Sequence, residues 1–431
     1  MREYFLEKIS ESEIQSLVSR PSNDFGETLS SVRNILNDVK ADRDRALAKY
    51  SRDFDGVELR SFDVAEREIA EAESQVPPEV KEALRRAAAN IESFHKLQIP
   101  EGIEVETAEG VYCRLVWRAI RRVGLYVPGG AAPLASTVLM LAIPARLVGC
   151  REIVLCTPPA KTGPPAPEIL YASALCGVKN IFTVGGAQAI AAMGIGTETV
   201  PKVDKIFGPG NRFVAAAKSL ISQPPFNVAI DMLAGPSELV VVADETANPR
   251  WVAADLLSQA EHGADSQVVL ITNSTVVAAS VQQELARQVE NLPRSRAIAR
   301  ALDESFVIIA SDMSKAMEFV NLYAPEHLIL AVSEADRLAL EVNNAGSVFI
   351  GPHSSVVFGD YASGTNHTLP TGGTAAAVGS LTVQSFMKPV AFQTVTGPGL
   401  LSLAETVKLL ARAEGLEAHA RAVESREEAY D

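Results

Sequence analysis

Six histidines are spread over the 431 residues, and four of them stand near other groups that bind metals or move protons. Gln259 and His262 are three residues apart in Ser258-Gln259-Ala260-Glu261-His262-Gly263, at the expected end of a helix, so both project from one face. A helix C-terminus carries partial negative charge and favours a nearby cation. Two neutral ligands still make a poor site without an anionic partner, and taken alone the pair is also what a polar helix end in water looks like. Asp360 supplies the anion, being the single formal charge between Val342 and Met387. A lone carboxylate in so neutral a stretch is costly to bury unpaired. It is therefore either exposed or matched to a cation. Pro325-Glu326-His327 offers a carboxylate beside an imidazole at the start of an apolar run. On an extended segment the two point to opposite sides and would serve two separate proton transfers, although an ordinary polar beginning to a strand reads the same. Glu414 and His419 fall in Glu414-Gly415-Leu416-Glu417-Ala418-His419, by themselves a solvated helix face. His95, on a charged helical stretch, and His353, after Gly351-Pro352, have no such company.

These groups must be held by a frame, and the chain's periodicity says which. Residues 1 to about 95 are charged and helically patterned, as over Ser30–Tyr50 and Pro78–His95. From about 120, short apolar runs alternate with helical segments: Glu152–Cys156, Asn180–Val184, Asp204–Phe207, Asn227–Ile230, Glu238–Ala243, Gln267–Thr272, Ser305–Ala310 and His327–Val332. That alternation predicts α/β architecture with parallel, doubly wound sheets. Asn248 as cap and Pro249 in the first turn open a helix that carries Val252, Leu256 and Ala260 and stops at Gly263. From about 382 the chain reads as a helical tail, strongest over Leu401–Val423, and the stretch from Leu381 to Leu400 offers no residue with an assignable role. Glycine-rich turns follow several strands: Pro128-Gly129-Gly130, Gly185-Gly186-Ala187-Gln188 and Gly208-Pro209-Gly210-Asn211. Ligands of open α/β sheets bind at the carboxyl ends of strands, where such turns lie. No full GxGxxG occurs, so a dinucleotide would have to bind without that pyrophosphate turn.

Composition narrows the partners. The formal charge is −14, from 39 basic and 53 acidic residues, and an acidic surface repels nucleic acid and anionic lipid. The N-terminus is charged throughout and is no secretory signal, and the charge-free run Val123–Ala145 is broken by prolines, so it reads as buried loop and core helix. A cytoplasmic setting is expected. Cys113, Cys150, Cys156 and Cys176 form no CxxC pair and read as buried thiols.

Taken together the segments resemble the histidinol dehydrogenase family over nearly the whole chain. The resemblance rests on GLYVPGGAAPLASTVLMLA from Gly124, VGGAQAIAA from Val184, KVDKIFGPGN from Lys202 and AGPSE from Ala234. DLLSQAEHGADSQV from Asp255, YAPEHL from Tyr323, GDYASGTNHTLPT from Gly359 and EGLEAH from Glu414 complete it. It implies NAD-dependent, four-electron oxidation of L-histidinol to L-histidine through an aldehyde. It further implies one zinc held by Gln259, His262, Asp360 and His419, serving as substrate holder. His327 would be the base for the alcohol and Glu326 would activate the water added to the aldehyde. Ser237, His367 and Glu414 would contact substrate along with the zinc ligands and His327, and Tyr126, Gln188 and Asn211 would line the NAD pocket. The implied fold is two incomplete Rossmann-like domains, 26–125 with 239–381 and 126–238, plus small terminal helical segments at 1–25 and 382–431. The implied assembly is a homodimer whose tails complete each other's sites. Two rivals remain: a sister dehydrogenase for a sulfonated propanediol, against which Glu414 and His419 argue, and a zinc- or NAD-binding sensor without turnover, against which Glu326 and His327 argue.

Overall fold

The computed structural model describes residues 1–20, 26–59, 61–129, 133–160, 164–233 and 235–428, so Gly130, Ala131, Ala132 and Ala234 of the motifs above, and residues 21–25 at the expected domain boundary, lie outside it. All eight expected apolar runs are strands, with ends shifted by a residue or two. They fall into two all-parallel sheets. The larger has the order Arg2–Phe5, Phe306–Ile309, Gln267–Thr272, Glu238–Ala243, His327–Ala331, Ser347–Ile350. The smaller has the order Asn180–Thr183, Glu152–Thr157, Arg122–Tyr126, Lys205–Phe207, Ala229–Ile230.

Both sheets are covered by helices on each face, which is why their strands are continuous aliphatic runs rather than alternating ones. In Glu238–Ala243 every residue is buried, Leu239 and Val241 facing one helical layer and Val240 and Val242 the other. In the smaller sheet Val154 and Cys156 face one core while Leu155 faces the second. These are the two incomplete Rossmann-like units. The Asn248 side chain accepts from Arg250 N at 3.0 Å and Pro249 opens the helix Pro249–Ala260, as the sequence indicates. Among the described residues no helix is long and apolar enough to cross a membrane.

The ends of the chain hold more than helices. Helix Glu11–Val18 follows an edge strand, Arg2–Phe5, and the tail helices Gly397–Ala413 and Glu417–Glu427 follow the strand Met387–Val395. That strand pairs antiparallel with Val111–Ala119, which pairs with Ile103–Ala108, so the stretch with no assignable role anchors the tail to the first half of the chain. The sheet is largely exposed, with only Val111 of its central strand buried, so the short alternation in these strands does not mark a core. The run from Val123 is likewise not all loop, since Arg122–Tyr126 is a central strand. Of the four thiols, Cys156 and Cys176 are buried while Cys113 and Cys150 are half-buried.

The larger sheet is pinned at the start of a central strand by a buried ion pair. Arg20 donates from Nε and Nη2 to the two carboxylate oxygens of Glu238, both at 2.9 Å, and its guanidinium lies 3.6 Å from the centre of the Tyr323 ring. Glu238 is 2% exposed and also accepts from Gly372 N at 2.9 Å. Removing one partner of such a pair strands the other's charge, so Arg20→Met should lower unfolding free energy by roughly 3–5 kcal/mol. Adding Glu238→Gln should recover much of that loss. Urea unfolding of the two variants checks both expectations.

Candidate active site

The two sheets meet with opposite edges. The C-terminal ends of the smaller sheet's strands carry Tyr126, the turn at Gly185-Gly186 and the turn from Gly208 to Asn211. The larger sheet presents its N-terminal ends, with Ser237 just before one strand and Glu326-His327 opening another. The strand-end rule therefore holds for one wall of the site and is reversed for the other. Between them lies a cleft of about 410 Å³ that gathers Asn211, Ser237, Gln259, His262, Glu326, His327, Asp360 and His367, together with Thr137, Arg294 and Tyr361, which the sequence did not single out.

Helix Pro249–Ala260 runs antiparallel to its strands, so its C-terminus points into this cleft. Gln259 sits in its last turn, wholly buried, with neither amide atom hydrogen-bonded. His262 N donates to Gln259 O at 3.2 Å, one turn on, and its Nδ1 lies 3.2 Å from Ser237 Oγ. An orphaned buried amide oxygen at the negative end of a helix, beside an imidazole, is a ready place for a cation. Asp360 arrives from the short helix Val356–Tyr361. Its carboxylate is paired rather than exposed, 3.6 Å from His327 Nε2.

Glu326 and His327 do not separate to opposite sides. The helix Met313–Tyr323 ends on Ala324 in the left-handed conformation, and after Pro325 the carboxylate turns back beside the imidazole, 3.5 Å from its Nδ1. Both rest on the backbone of one residue: Glu238 N donates to Glu326 Oε2 at 2.7 Å, and Glu238 O lies 3.1 Å from His327 Nδ1. Burial pushes the Glu326 carboxyl up, against the pull of His327. Burial opposes charge on His327 too, but Glu326 and Asp360 outweigh it and its pKa is pushed up to about 10. Asp360 is itself held below the usual range: burial works against ionisation there, and contact with His327 overcomes it. Burial lowers His367, which touches Thr137 Oγ1 at 3.2 Å through Nε2 and Asp360 O at 2.8 Å through Nδ1.

Glu414 and His419 are exposed in the tail and do not line the cleft. Accordingly, among the described residues no group of three or more His, Cys, Asp or Glu side chains is arranged to hold a metal within one chain. His95 is a satisfied core histidine, its Nδ1 2.9 Å from Ile91 O, and exposed His353 stands against the Trp251 ring. A second pocket, about 650 Å³, adjoins the cleft through Gly129 and Asn211 and contains Tyr126 and Gln188. Tyr126 Oη accepts from Gly186 N at 2.9 Å, Asn211 caps the helix Arg212–Ile221, and Gln188 is 1% exposed with Oε1 unpartnered.

Known proteins resemble the chain over its length. A family profile described as histidinol dehydrogenase matches residues 18–427. Histidinol dehydrogenase of Mannheimia succiniciproducens is 50% identical over 97% of both chains, and that of Bacteroides fragilis 50% identical over 96% of both. The crystal structure of histidinol dehydrogenase from Elizabethkingia anophelis superposes with a TM-score of 0.96 at 46% identity, covering 100% of this chain and 98% of that one.

The helices bearing Gln259 and Asp360 are tied together by Ser355 Oγ donating to Asp255. Burial, only partly offset by that bond, pushes Asp255 up to about 6 from 3.8. The folded state thus holds this proton more tightly than the unfolded chain. Its favourable contribution is complete below pH 3.8 and is lost as pH rises through 6. Relative to wild type, Asp255→Asn should gain about 2 kcal/mol of stability between pH 4 and pH 7. Parallel urea titrations at the two pH values would show the gain, and a constant difference would refute it.

Proposed function

This chain belongs to the histidinol dehydrogenase family, and from that premise we propose how its cleft carries out the NAD-dependent oxidation of L-histidinol. The observation that carries the reading is the convergence of a buried, unpartnered Gln259 amide, His262 and Asp360 beside the Glu326-His327 pair. Gln259, His262 and Asp360 hold a zinc ion, an oxygen- and nitrogen-rich set that suits it, and His419 from the tail of a second copy completes the shell. Bound there, zinc supplies a positive anchor for the substrate's imidazole and amine. NAD supplies the hydride acceptor and lies in the adjoining pocket against Tyr126, Gln188 and Asn211.

The protein's own groups manage the protons. His327 would accept the substrate's hydroxyl proton, with Glu326 at 3.5 Å and Asp360 at 3.6 Å orienting the imidazole and stabilising the charge it gains. Glu326, kept basic enough by burial, takes a proton from the water that adds to the aldehyde before the second oxidation. Ser237 and His367 border the substrate, and Glu414 of the second copy meets its amine. The homodimer follows from this assignment because one chain alone leaves the cleft without its tail residues. The relatives at about half identity carry the histidinol name, which disfavours the sulfonated-diol rival.

Purified protein given L-histidinol, NAD and zinc should form histidine with two NADH for each. Glu326→Gln should slow this by roughly 10²–10⁴-fold, the usual weight of general-base catalysis, while leaving histidinol binding within a few-fold. Wild-type protein that binds histidinol and zinc yet forms no NADH would end the reading.

A further inference from the structure

We propose that Asp55 is the residue that binds the adenosine ribose of the cofactor and makes the site select NAD over NADP. This rests on the placement of NAD in the pocket beside the catalytic cleft, and it adds a residue and a specificity that the sequence did not suggest. Asp55 ends a single π-helical turn, Ser51–Asp55, that closes on Gly56 in the left-handed conformation. Such turns commonly mark functional positions. Its Oδ2 is buried and has no hydrogen-bond partner, a costly state for a carboxylate unless a ligand supplies donors.

The pocket around it has the shape of an adenosine subsite. Tyr50 and Phe54 stack at 5.3 Å between centroids with planes 17° apart, and Phe54 still exposes 62% of its surface. Phe213 stands on the same pocket, 37% exposed. Exposed rings lining a pocket offer π-faces to a purine. A ribose presents a vicinal diol, two donors side by side, and a carboxylate accepts both.

Charge fixes the direction in which the cofactor lies. A pyrophosphate avoids Asp55 and belongs with the glycine turn at Gly186 and the helix N-termini beyond it. The end nearest Gly129 and Asn211, shared with the catalytic cleft, is left for the nicotinamide. Among the described residues lining this pocket there is no lysine or arginine. A 2′-phosphate would thus meet a carboxylate and find no cation to pair with. The same reasoning underlies acidic ribose-binding residues in dinucleotide folds generally.

The test is equilibrium binding, by calorimetry on the zinc-loaded protein, of NAD, NADP and an NAD analogue whose adenosine lacks the 2′-hydroxyl. Wild type should bind NAD at least tenfold tighter than either of the others, the weight of a hydrogen bond to a charged group. Asp55→Asn should weaken NAD about tenfold and narrow the preference over NADP by at least tenfold. The analogue comparison needs no variant, so it decides the matter even if Asp55→Asn folds poorly. Wild type that binds NAD but ignores loss of the 2′-hydroxyl, or a variant that still rejects NADP as wild type does, would overturn the role of Asp55. Wild type that binds no NAD would instead overturn the placement of the cofactor on which it rests.

Discussion

The structure depends on two parallel sheets facing each other by unlike edges. A sheet's strands and covering helices run in opposite directions, so the edge that ends strands begins helices. The smaller unit turns helix N-termini toward the common cleft, at Gly186–Ile195 and Arg212–Ile221, while the larger turns the C-terminus of Pro249–Ala260 toward it. One wall is therefore predisposed to anions and the other to cations by backbone dipoles alone. On the proposed function, an anionic dinucleotide and a cation would be sorted to opposite sides before any side chain is considered. Two sheets meeting by like edges would offer the same polarity twice.

On the cation-favouring wall, Glu238 links stability to chemistry. Its side chain is fixed by Arg20 and Gly372, and its backbone N–H and carbonyl touch Glu326 and His327 respectively. The buried pair thus fixes the backbone on which Glu326 and His327 rest. A comparable device serves the other wall. Lys218 and Asp231, both buried, pair with each other and grip the Gly208 peptide, Lys218 donating to its oxygen at 3.0 Å and Asp231 accepting from its N–H at 2.8 Å. Gly208 adopts φ +120°, where a side chain would collide with Tyr126 O, so the turn toward Asn211 has little freedom.

Much of this was legible in the residues. Aliphatic runs between helical segments marked eight strands because burial on both faces leaves an unmistakable composition. The lone charge at Asp360 narrowed that carboxylate to exposed or paired, because desolvation permits no third state, and the structure has it paired. What stayed hidden obeys other rules. Met387–Val395 is mostly exposed and pairs with Val111–Ala119, a partner far away in sequence that no local pattern specifies. The closeness of Glu326 and His327 comes from the left-handed Ala324 and the turn through Pro325, which strand alternation does not anticipate. Thr137 meets His367 only through tertiary contact, and Asp55 stands in a charged helical region where nothing sets it apart from its neighbours.

The edge strand Arg2–Phe5 pairs with Phe306–Ile309, whereas every strand of the smaller sheet lies between Arg122 and Ile230. During synthesis the smaller sheet has all its partners early, while the first strand emerges long before the one it joins. The smaller unit is thereby free to mature while its counterpart is still on the ribosome, and the cleft closes only when the late strands bring the beginning of the chain back to them.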